Sequence, residues 1–236
     1  MNIREAHFAF KIAFDRIDSL SSPDFNEAEV DAFLNEAQLV FIKRRYGKFS
    51  NAKKQGFEET QKRIDDLSTV SIQYPTQPAI TPTQVAGAPV YEVSTSNFIF
   101  PYLFLTSVQG TLNTEECTDV FFKPVRTDQL DQKLKDPFSS KTIFYTTGRN
   151  SLGGTSLFLF TVQPLLEVKV SYIKYPSKVS TGNYAHLDGV VHPENSFELP
   201  LHTHPEIVDI AAELAALSIQ DPAYLSTKTQ KVLVHE

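Results

Sequence analysis

The sequence predicts an α+β fold, in which N-terminal and C-terminal helices pack as a small bundle and an antiparallel β-rich segment is inserted between them. Apolar residues recur at helical spacing in residues 1–70 and again in residues 201–236. The intervening residues 71–200 are rich in β-branched and aromatic residues and begin with a proline-rich extended arm. We therefore expect three parts, with the C-terminal helix and tail packed on the N-terminal helices.

Residues 1–70 predict three helices. The first runs from Ile3 to about Asp18, with Asn2 and Glu5 in the positions of a capping box. The third covers about Phe57 to Leu67, and its largely charged surface predicts a position on the outside of the bundle. Three apolar residues are expected on its inner side: Phe57, Ile64 and Leu67.

The second helix has the clearest start and end signals. Asn26 is a preferred N-cap residue, and Glu29 follows at the third helical position. Lys43, Arg44 and Arg45 occupy the last turn, where cations complement the helix dipole. The apolar face is expected to comprise Val30, Phe33, Leu34, Ala37, Val40 and Phe41.

Prolines interrupt the start of the β-rich part and exclude a helix from Tyr74 to Pro89. The segment fits a linker, a long edge-strand arm, or a β-insertion whose edges are protected by proline. It contains no charged residue, which favours an arm lying against another surface, since a solvated linker of this length usually carries more charge. The prolines are Pro75, Pro78, Pro82 and Pro89.

Six later segments are rich in β-branched and aromatic residues and predict strands. Their spacing favours an antiparallel sheet or a small sandwich over βαβ units. Residues 148–154 contain three glycines and predict a hairpin loop between two of the strands. The expected strands are Val90–Val93, Asn97–Gln109, Asp119–Val125, Thr142–Thr147, Ser156–Val162 and Leu166–Tyr175.

The C-terminal part predicts one helix followed by a tail. Thr203 and Glu206 have the spacing of a capping box, and Pro205 lies in the first turn, where proline is tolerated. Small residues between Ala211 and Leu217 allow close approach to a neighbouring helix. Pro222 ends the helix, and the tail from Tyr224 is polar.

Composition and motifs argue against an enzyme and a membrane protein. Hydrophobic residues make up 41% and charged residues 21% of the 236 residues, and no apolar run approaches the roughly 20 residues that span a bilayer. The single cysteine, Cys117, lies among acidic residues, which disfavour a reactive thiolate. The P-loop, nucleophile-elbow, H-E-x-x-H and C-x-x-C motifs are absent. We expect no cofactor.

Three histidines are the candidates for a metal site. His202 and His204 form an H-x-H pair, and His192 lies ten residues upstream of His202. Such a pair on a strand could direct two imidazoles to one side and bind zinc. The alternative is a polar region before a helix, in which the histidines are solvated or bind backbone groups.

The formal net charge of −6 disfavours a protein that grips nucleic acid over a broad face. It is compatible with a protein that surrounds DNA loosely, because a mildly acidic wall repels the phosphates. Lys48, Lys53 and Lys54 could contact DNA or an acidic partner. The favoured explanation of the basic cluster is a solvated loop together with the helix dipole, although the dipole does not account for these three lysines.

Both terminal parts resemble structural proteins of crAss-like bacteriophages. The resemblance covers roughly a third of the chain, and its motifs lie in predicted helices; the β-rich middle carries none of them. The matching segments are Ile3–His7, Phe33–Gln38, Phe41–Gly47, Gly56–Glu59, His202–Ala211 and Asp221–Tyr224.

The resemblance implies a ring or adaptor protein of the head-to-tail connector, in the neck and tail barrel of the virion. Such subunits form a closed ring, commonly twelvefold, beneath the portal protein and beside other ring or tail proteins. Double-stranded DNA passes through the lumen without sequence-specific binding. The resemblance implies no catalytic residue and no membrane partner, and it places synthesis in the cytoplasm of the bacterial host.

A ring subunit needs surfaces that meet its neighbours, and we expect these in residues 74–105 and in the tail. Two alternatives stay open at this point: a tail-associated host-binding protein that uses the β-rich segment, and a metal-dependent enzyme that uses the three histidines. The expected interface residues are Tyr74, Pro75, Pro78, Pro82, Pro89, Tyr91, Tyr224 and Leu225.

Overall fold

The fold comprises two compact units, Met1–Val70 with Pro176–Glu236 (unit 1) and Ser71–Tyr175 (unit 2). Both helices and strands are present, so the α+β class predicted from the sequence is confirmed. Unit 2 ends at Tyr175, whereas the sequence placed the end of the β-rich part at residue 200. The computed structural model describes residues 1–15, 25–46, 57–85, 89–113, 118–136, 143–150, 153–182, 184, 189, 191 and 193–218.

The described residues form five α-helices and eight strands. The helices are α1 (Ile3–Asp15), α2 (Glu27–Tyr46), α3 (Phe57–Asp66), α4 (Leu130–Lys135) and α5 (His204–Ser218). The strands are β1 (Ser71–Ile72), β2 (Thr83–Gln84), β3 (Val90–Ser94), β4 (Tyr102–Leu112), β5 (Asp119–Pro124), β6 (Ile143–Arg149), β7 (Thr155–Phe160) and β8 (Leu165–Lys174).

Side-chain caps fix the starts of α1 and α2. The Glu5 N–H donates to Asn2 Oδ1 at 2.8 Å, and the Asn2 N–H donates to the Glu5 carboxylate at 2.9 Å. At α2, the Asn26 N–H donates to the Glu29 carboxylate at 2.8 Å. These bonds satisfy N–H groups that have no partner inside the helix, so both helices begin where the sequence predicts.

The core of unit 1 forms where α5 packs against α1 and α2. Close approach is possible because the buried side chains of α5 include four alanines, as the run of small residues predicted. Aromatic rings fill the space beside α1, with centroid distances of 5.2–6.4 Å between stacked and edge-on pairs. The rings belong to Phe10, Phe14, Phe25 and Phe33.

Two local predictions for unit 1 are wrong. Ile64 is largely exposed, because Asp66 is turned inward and residues two apart lie on different sides of a helix. Thr203 does not form a capping box with Glu206. Its hydroxyl donates to the Pro200 carbonyl at 2.8 Å within a 3₁₀ turn, and Glu206 binds Arg45 instead.

Unit 2 is one eight-stranded sheet with the order β1-β8-β4-β5-β6-β7-β3-β2. All neighbouring strands are antiparallel except β5 and β6, which run parallel. The prediction of an entirely antiparallel β-segment is therefore wrong at this pair. Parallel neighbours need a crossover that returns the chain to the same end, and α4, which the sequence reading did not predict, lies in that crossover.

The proline-rich segment is part of this sheet and connects its two edges. Ser71 and Ile72 pair with β8, and Ile80 forms a further antiparallel bridge to Val168 of β8. Thr83–Gln84 then pairs with β3 at the other edge of the sheet. One stretch of chain thus contacts both ends of the strand order, and the sheet curls upon itself. The inner side holds the apolar core of unit 2.

Candidate functional site: an assembly surface

Gln77 is a buried polar side chain that joins three parts of unit 2. Its Oε1 accepts hydrogen bonds from the Tyr172 hydroxyl at 3.1 Å and from the Ile99 N–H at 3.0 Å. Its Nε2 donates to the carbonyl oxygens of Pro78 and Asn97 at 3.3 and 3.4 Å. All the hydrogen-bonding groups of the amide are satisfied, so the network fixes the backbone around it.

The loop held by Gln77 directs apolar side chains to the outside. The Phe100 N–H donates to the Tyr172 hydroxyl at 3.3 Å, and burial raises the pKa of that hydroxyl. Ile99 is 51% exposed, although its backbone is anchored. The Lys174 ammonium lies 4.5 Å from the centre of the Phe100 ring, and the Tyr175 N–H donates to the Pro101 carbonyl at 3.1 Å.

We call Ile99, Phe100 and Tyr175 the apolar patch of unit 2. All three side chains are exposed. A backbone fixed by buried hydrogen bonds loses little freedom when a partner covers such a patch, which favours binding. The backbone bond to Pro101 places Tyr175 next to the loop, and neighbouring exposed apolar residues are typical of protein-interaction surfaces.

The predicted interface residues differ in their exposure. Tyr74, Pro75, Pro78 and Pro89 are exposed, and Pro82 is half-buried. Tyr91 is buried in the core of the sheet, because its side chain alternates with outward-facing neighbours on β3. Tyr224 and Leu225 lie outside the described residues.

In unit 1, a buried carboxylate joins α1, α2 and the segment after residue 180. Asp31 is fully buried and accepts a hydrogen bond from His7 Nε2 at 2.6 Å. The Thr181 N–H donates to it at 2.9 Å, and the Tyr184 hydroxyl donates to the same oxygen. Burial by itself would raise the pKa of Asp31, but the hydrogen bonds from His7, Tyr184 and Thr181 outweigh it and lower the pKa.

Arg45 joins three helical elements of unit 1. Its Nε lies 2.8 Å from Asp66 Oδ2, and its Nη2 lies 2.5 Å from Glu206 Oε2. His202 Nε2 also contacts Asp66, at 2.7 Å. The position of Arg45 in the last turn of α2 predicted only an interaction with the helix dipole, not this network. In the sequence, this network is indicated only by the basic residues at the end of α2 and the acidic residue at the start of α5.

His202 and His204 have separate partners in the structure. His202 contacts Asp66, whereas His204 Nε2 donates to the Leu199 carbonyl at 2.8 Å. Burial lowers the pKa of His204 and outweighs the opposing effect of that hydrogen bond. His192 lies outside the described residues. Within the described ranges, no cluster of three or more His, Cys, Asp or Glu side chains has the arrangement of a metal site.

The net charge resides entirely in unit 1. Residues 1–70 and 176–236 contain 14 basic and 20 acidic residues, whereas residues 71–175 contain eight of each. Lys48, Lys53 and Lys54, the candidates for a DNA contact, lie outside the described residues. Unit 2 is therefore electrically balanced, and unit 1 has the acidic character that disfavours tight binding of phosphates.

Among the described residues, no helix is both long enough and apolar enough to cross a bilayer.

Comparison with known proteins agrees with the resemblance found in the terminal helices. The model of the family described as phage tail ring protein 3/4 matches residues 1–228. The chain is also similar to "Ring protein 4/5" of Bacteroides phage crAss001, with 24% identity over 231 residues, which cover 93% of this chain and 94% of that protein. The resemblance to crAss-like phage ring proteins is therefore confirmed. Because the family match covers nearly the whole length, the chain belongs to the phage tail ring protein 3/4 family, a family of structural virion proteins.

Proposed function

We propose that this protein is a ring subunit of the head-to-tail connector or tail barrel, and that copies of it close into a twelvefold ring beneath the portal. The observation that carries the proposal is the apolar patch of unit 2, which is exposed yet held by the buried Gln77 network. A ring contact is heterologous, so it needs a fixed surface on one side of each subunit. Family membership supports a ring as the assembly.

A passage for DNA fits the charge distribution. The six net negative charges lie in unit 1. An acidic wall repels the duplex, which lets DNA slide through a lumen without a bound state. We propose that the ring serves as part of the conduit through which the genome leaves the head, with the portal and neighbouring tail proteins as partners.

The stoichiometry of purified virions tests this function. Quantitative peptide mass spectrometry would compare copies of this chain with copies of the portal protein. We expect a ratio near one or a small integer, because stacked rings on a common axis have related symmetry. Absence of the chain from the particle, together with abundance in infected cells, would overturn the proposal.

A substitution in the apolar patch tests the surface itself. Ile99→Asp places a charge on an exposed side chain and keeps the backbone N–H that binds Gln77, so the unit should fold normally. We expect fewer copies of the variant in assembled particles. Val162→Asp is the matched control, since Val162 is 93% exposed on the same unit and lies outside the patch. Equal incorporation of both variants would remove the patch from the interface.

A further inference from the structure

The sheet of unit 2 has a stretch of strand with a partner on one side only. β6 pairs with β7 along Phe144–Arg149, but β5 pairs with it only at Ile143–Tyr145. Within the described residues, no strand lies on the β5 side of Thr146–Arg149. Backbone pairing on this side ends at Val125, whose N–H donates to the Tyr145 carbonyl at 2.9 Å; beyond it, the Thr127 hydroxyl lies 3.4 Å from the Thr146 hydroxyl.

The direction of the backbone groups follows from that last bond. The Tyr145 carbonyl points to the β5 side, and successive residues of a strand alternate in direction. The N–H and C=O groups of Thr147 and Arg149 therefore point to the same side, away from β7. They form a short row of backbone donors and acceptors, the template on which a further strand can be added.

An open cavity lies at the same end of β6. Its volume is about 390 Å³, which is within the size range of binding pockets. The lining comes from three places: Thr147, Gly148 and Arg149 of β6, Gly153 and Thr155 on the β7 side of the hairpin, and Tyr102 of β4. The Arg149 side chain is held back along the hairpin, because its Nε donates to the Gly153 carbonyl at 2.9 Å.

The open side of β6 lacks the prolines that block strand addition in the segment between β1 and β2. Pro75, Pro78 and Pro82 interrupt the chain between β1 and β2, and proline prevents unwanted strand addition. Thr146–Arg149 contains no proline, and its one charged side chain, Arg149, is held along the hairpin by its bond to the Gly153 carbonyl. An accessible edge without these safeguards is suited to an intended partner.

The chain also contains a segment suited to occupy the edge. Residues 219–236 follow the end of α5 and lie outside the described residues. Ser226–Val234 contains two threonines and two valines and lacks proline, glycine and acidic residues, a composition typical of strands. Eighteen extended residues reach about 60 Å, far enough to meet a neighbouring subunit.

We propose that the edge of β6 at Thr147 and Arg149 accepts residues 219–236 of a second copy of this chain as an added strand. The contact is an instance of β-strand addition, in which backbone hydrogen bonds provide the affinity. It rests on the proposed self-assembly into a ring. It adds to that proposal the donor segment, the acceptor edge and the direction of the heterologous contact, from the tail of one subunit to the sheet of the next.

Site-specific photo-crosslinking in assembled particles tests the proposal. The full-length chain would carry p-benzoylphenylalanine in place of Thr147, and crosslinked peptides would be identified by mass spectrometry after irradiation. We expect a product of twice the chain mass that joins position 147 to residues 219–236. The control position is Phe121, which is 67% exposed on β5 and lies outside the cavity lining. It should give no product with the tail.

The other outcomes overturn the proposal. A product of twice the chain mass that joins position 147 to a segment other than residues 219–236 would refute the tail as the donor but would not contradict the proposed ring. A crosslink to the tail of the same chain, to a different virion protein, or to nothing would refute the intersubunit strand. Tail products from position 121 as well would show that the tail contacts the sheet without selectivity.

A backbone variant gives a second, independent test. Thr147→Pro removes the outward N–H and leaves the β7 ladder intact, whereas Thr147→Val keeps the N–H. We expect incorporation of the proline variant into particles to fall about fivefold, the factor that corresponds to one lost hydrogen bond of about 1 kcal/mol. Both variants should show the circular dichroism spectrum of the unmodified chain. Equal incorporation of the two would overturn the proposal.

Discussion

Replacing Asp31 by alanine should destabilise unit 1 strongly. The carboxylate is fully buried and accepts hydrogen bonds from His7, Thr181 and Tyr184. Removal of one partner from a buried charged pair costs about 3–5 kcal/mol. Because Thr181 and Tyr184 are only half-buried and can bind water in the variant, the lower end, about 3 kcal/mol, is expected.

The assay is thermal unfolding of the purified chain by scanning calorimetry. A loss of about 3 kcal/mol lowers the midpoint by about 6–12 °C for a protein of this size. Asp209→Ala is the control, because Asp209 is exposed on α5 and its loss should change stability by less than about 0.5 kcal/mol. A drop of less than about 1 kcal/mol for Asp31→Ala would refute the view that this network holds the unit together.

Three further predictions follow from the structure. Folding lowers the pKa of Asp31, so the carboxylate contributes its full stabilisation above the unfolded pKa of about 3.8 and loses it as the pH falls. The difference in thermal midpoint between the wild type and Asp31→Asn should therefore shrink in scans below pH 4. Gly182→Ala should lower the free energy of unfolding by about 2 kcal/mol in urea titrations, because Gly182 has a φ of +88° and a Cβ there would lie 2.7 Å from a backbone nitrogen. Gly189→Ala should cost less, because Gly189 has a φ of +75° but lies in open space. Gln77→Ala leaves the buried Tyr172 hydroxyl and the Ile99 N–H without their partner. It should lower the free energy of unfolding by about 2 kcal/mol, measured as a lower midpoint in urea titrations. Gln73→Ala, at an exposed side chain, should leave the midpoint unchanged.

The local features of this fold could be predicted from the sequence. The capping residues Asn2 and Asn26 fix helix starts through bonds that span three positions, so the signal lies within a few residues. The strands from β5 to β8 begin within one residue of the positions that alternation and β-propensity indicated. β6 and β7 also pair as the expected hairpin, with Gly153 at a φ of +87°.

The long-range features could not be predicted in the same way. The partner of β5 depends on the path of the crossover, and propensity does not specify whether the next strand returns parallel. The segment containing Ile80 was expected as an arm on another surface, but it pairs with the sheet of its own unit. A low charge suits contact with either surface, so composition does not distinguish the two.

The candidate site was predicted only in outline. Residues 74–105 include the exposed Ile99 and Phe100, but the sequence placed both within a strand that in fact begins at Tyr102. The Gln77 network could not be predicted, because a glutamine among prolines gives no sign of being buried. Tyr91 shows the opposite case, in which an aromatic residue in an apparent arm belongs to the core.

The pairing of β1 with β8 has a consequence for how the helical unit forms. Unit 1 is assembled from two chain segments separated by the whole of unit 2, and bringing the ends of about 100 unfolded residues together costs about 4 kcal/mol of chain entropy. The register Ser71↔Ile173 places the entry and the exit of unit 2 side by side. Once the sheet has folded, it acts on the helices as a connection of a few residues and reduces that cost by about 3 kcal/mol. Because its two ends are adjacent, unit 2 has the arrangement of an inserted domain. A different domain with neighbouring termini could replace it without changing the chain path of the helical unit.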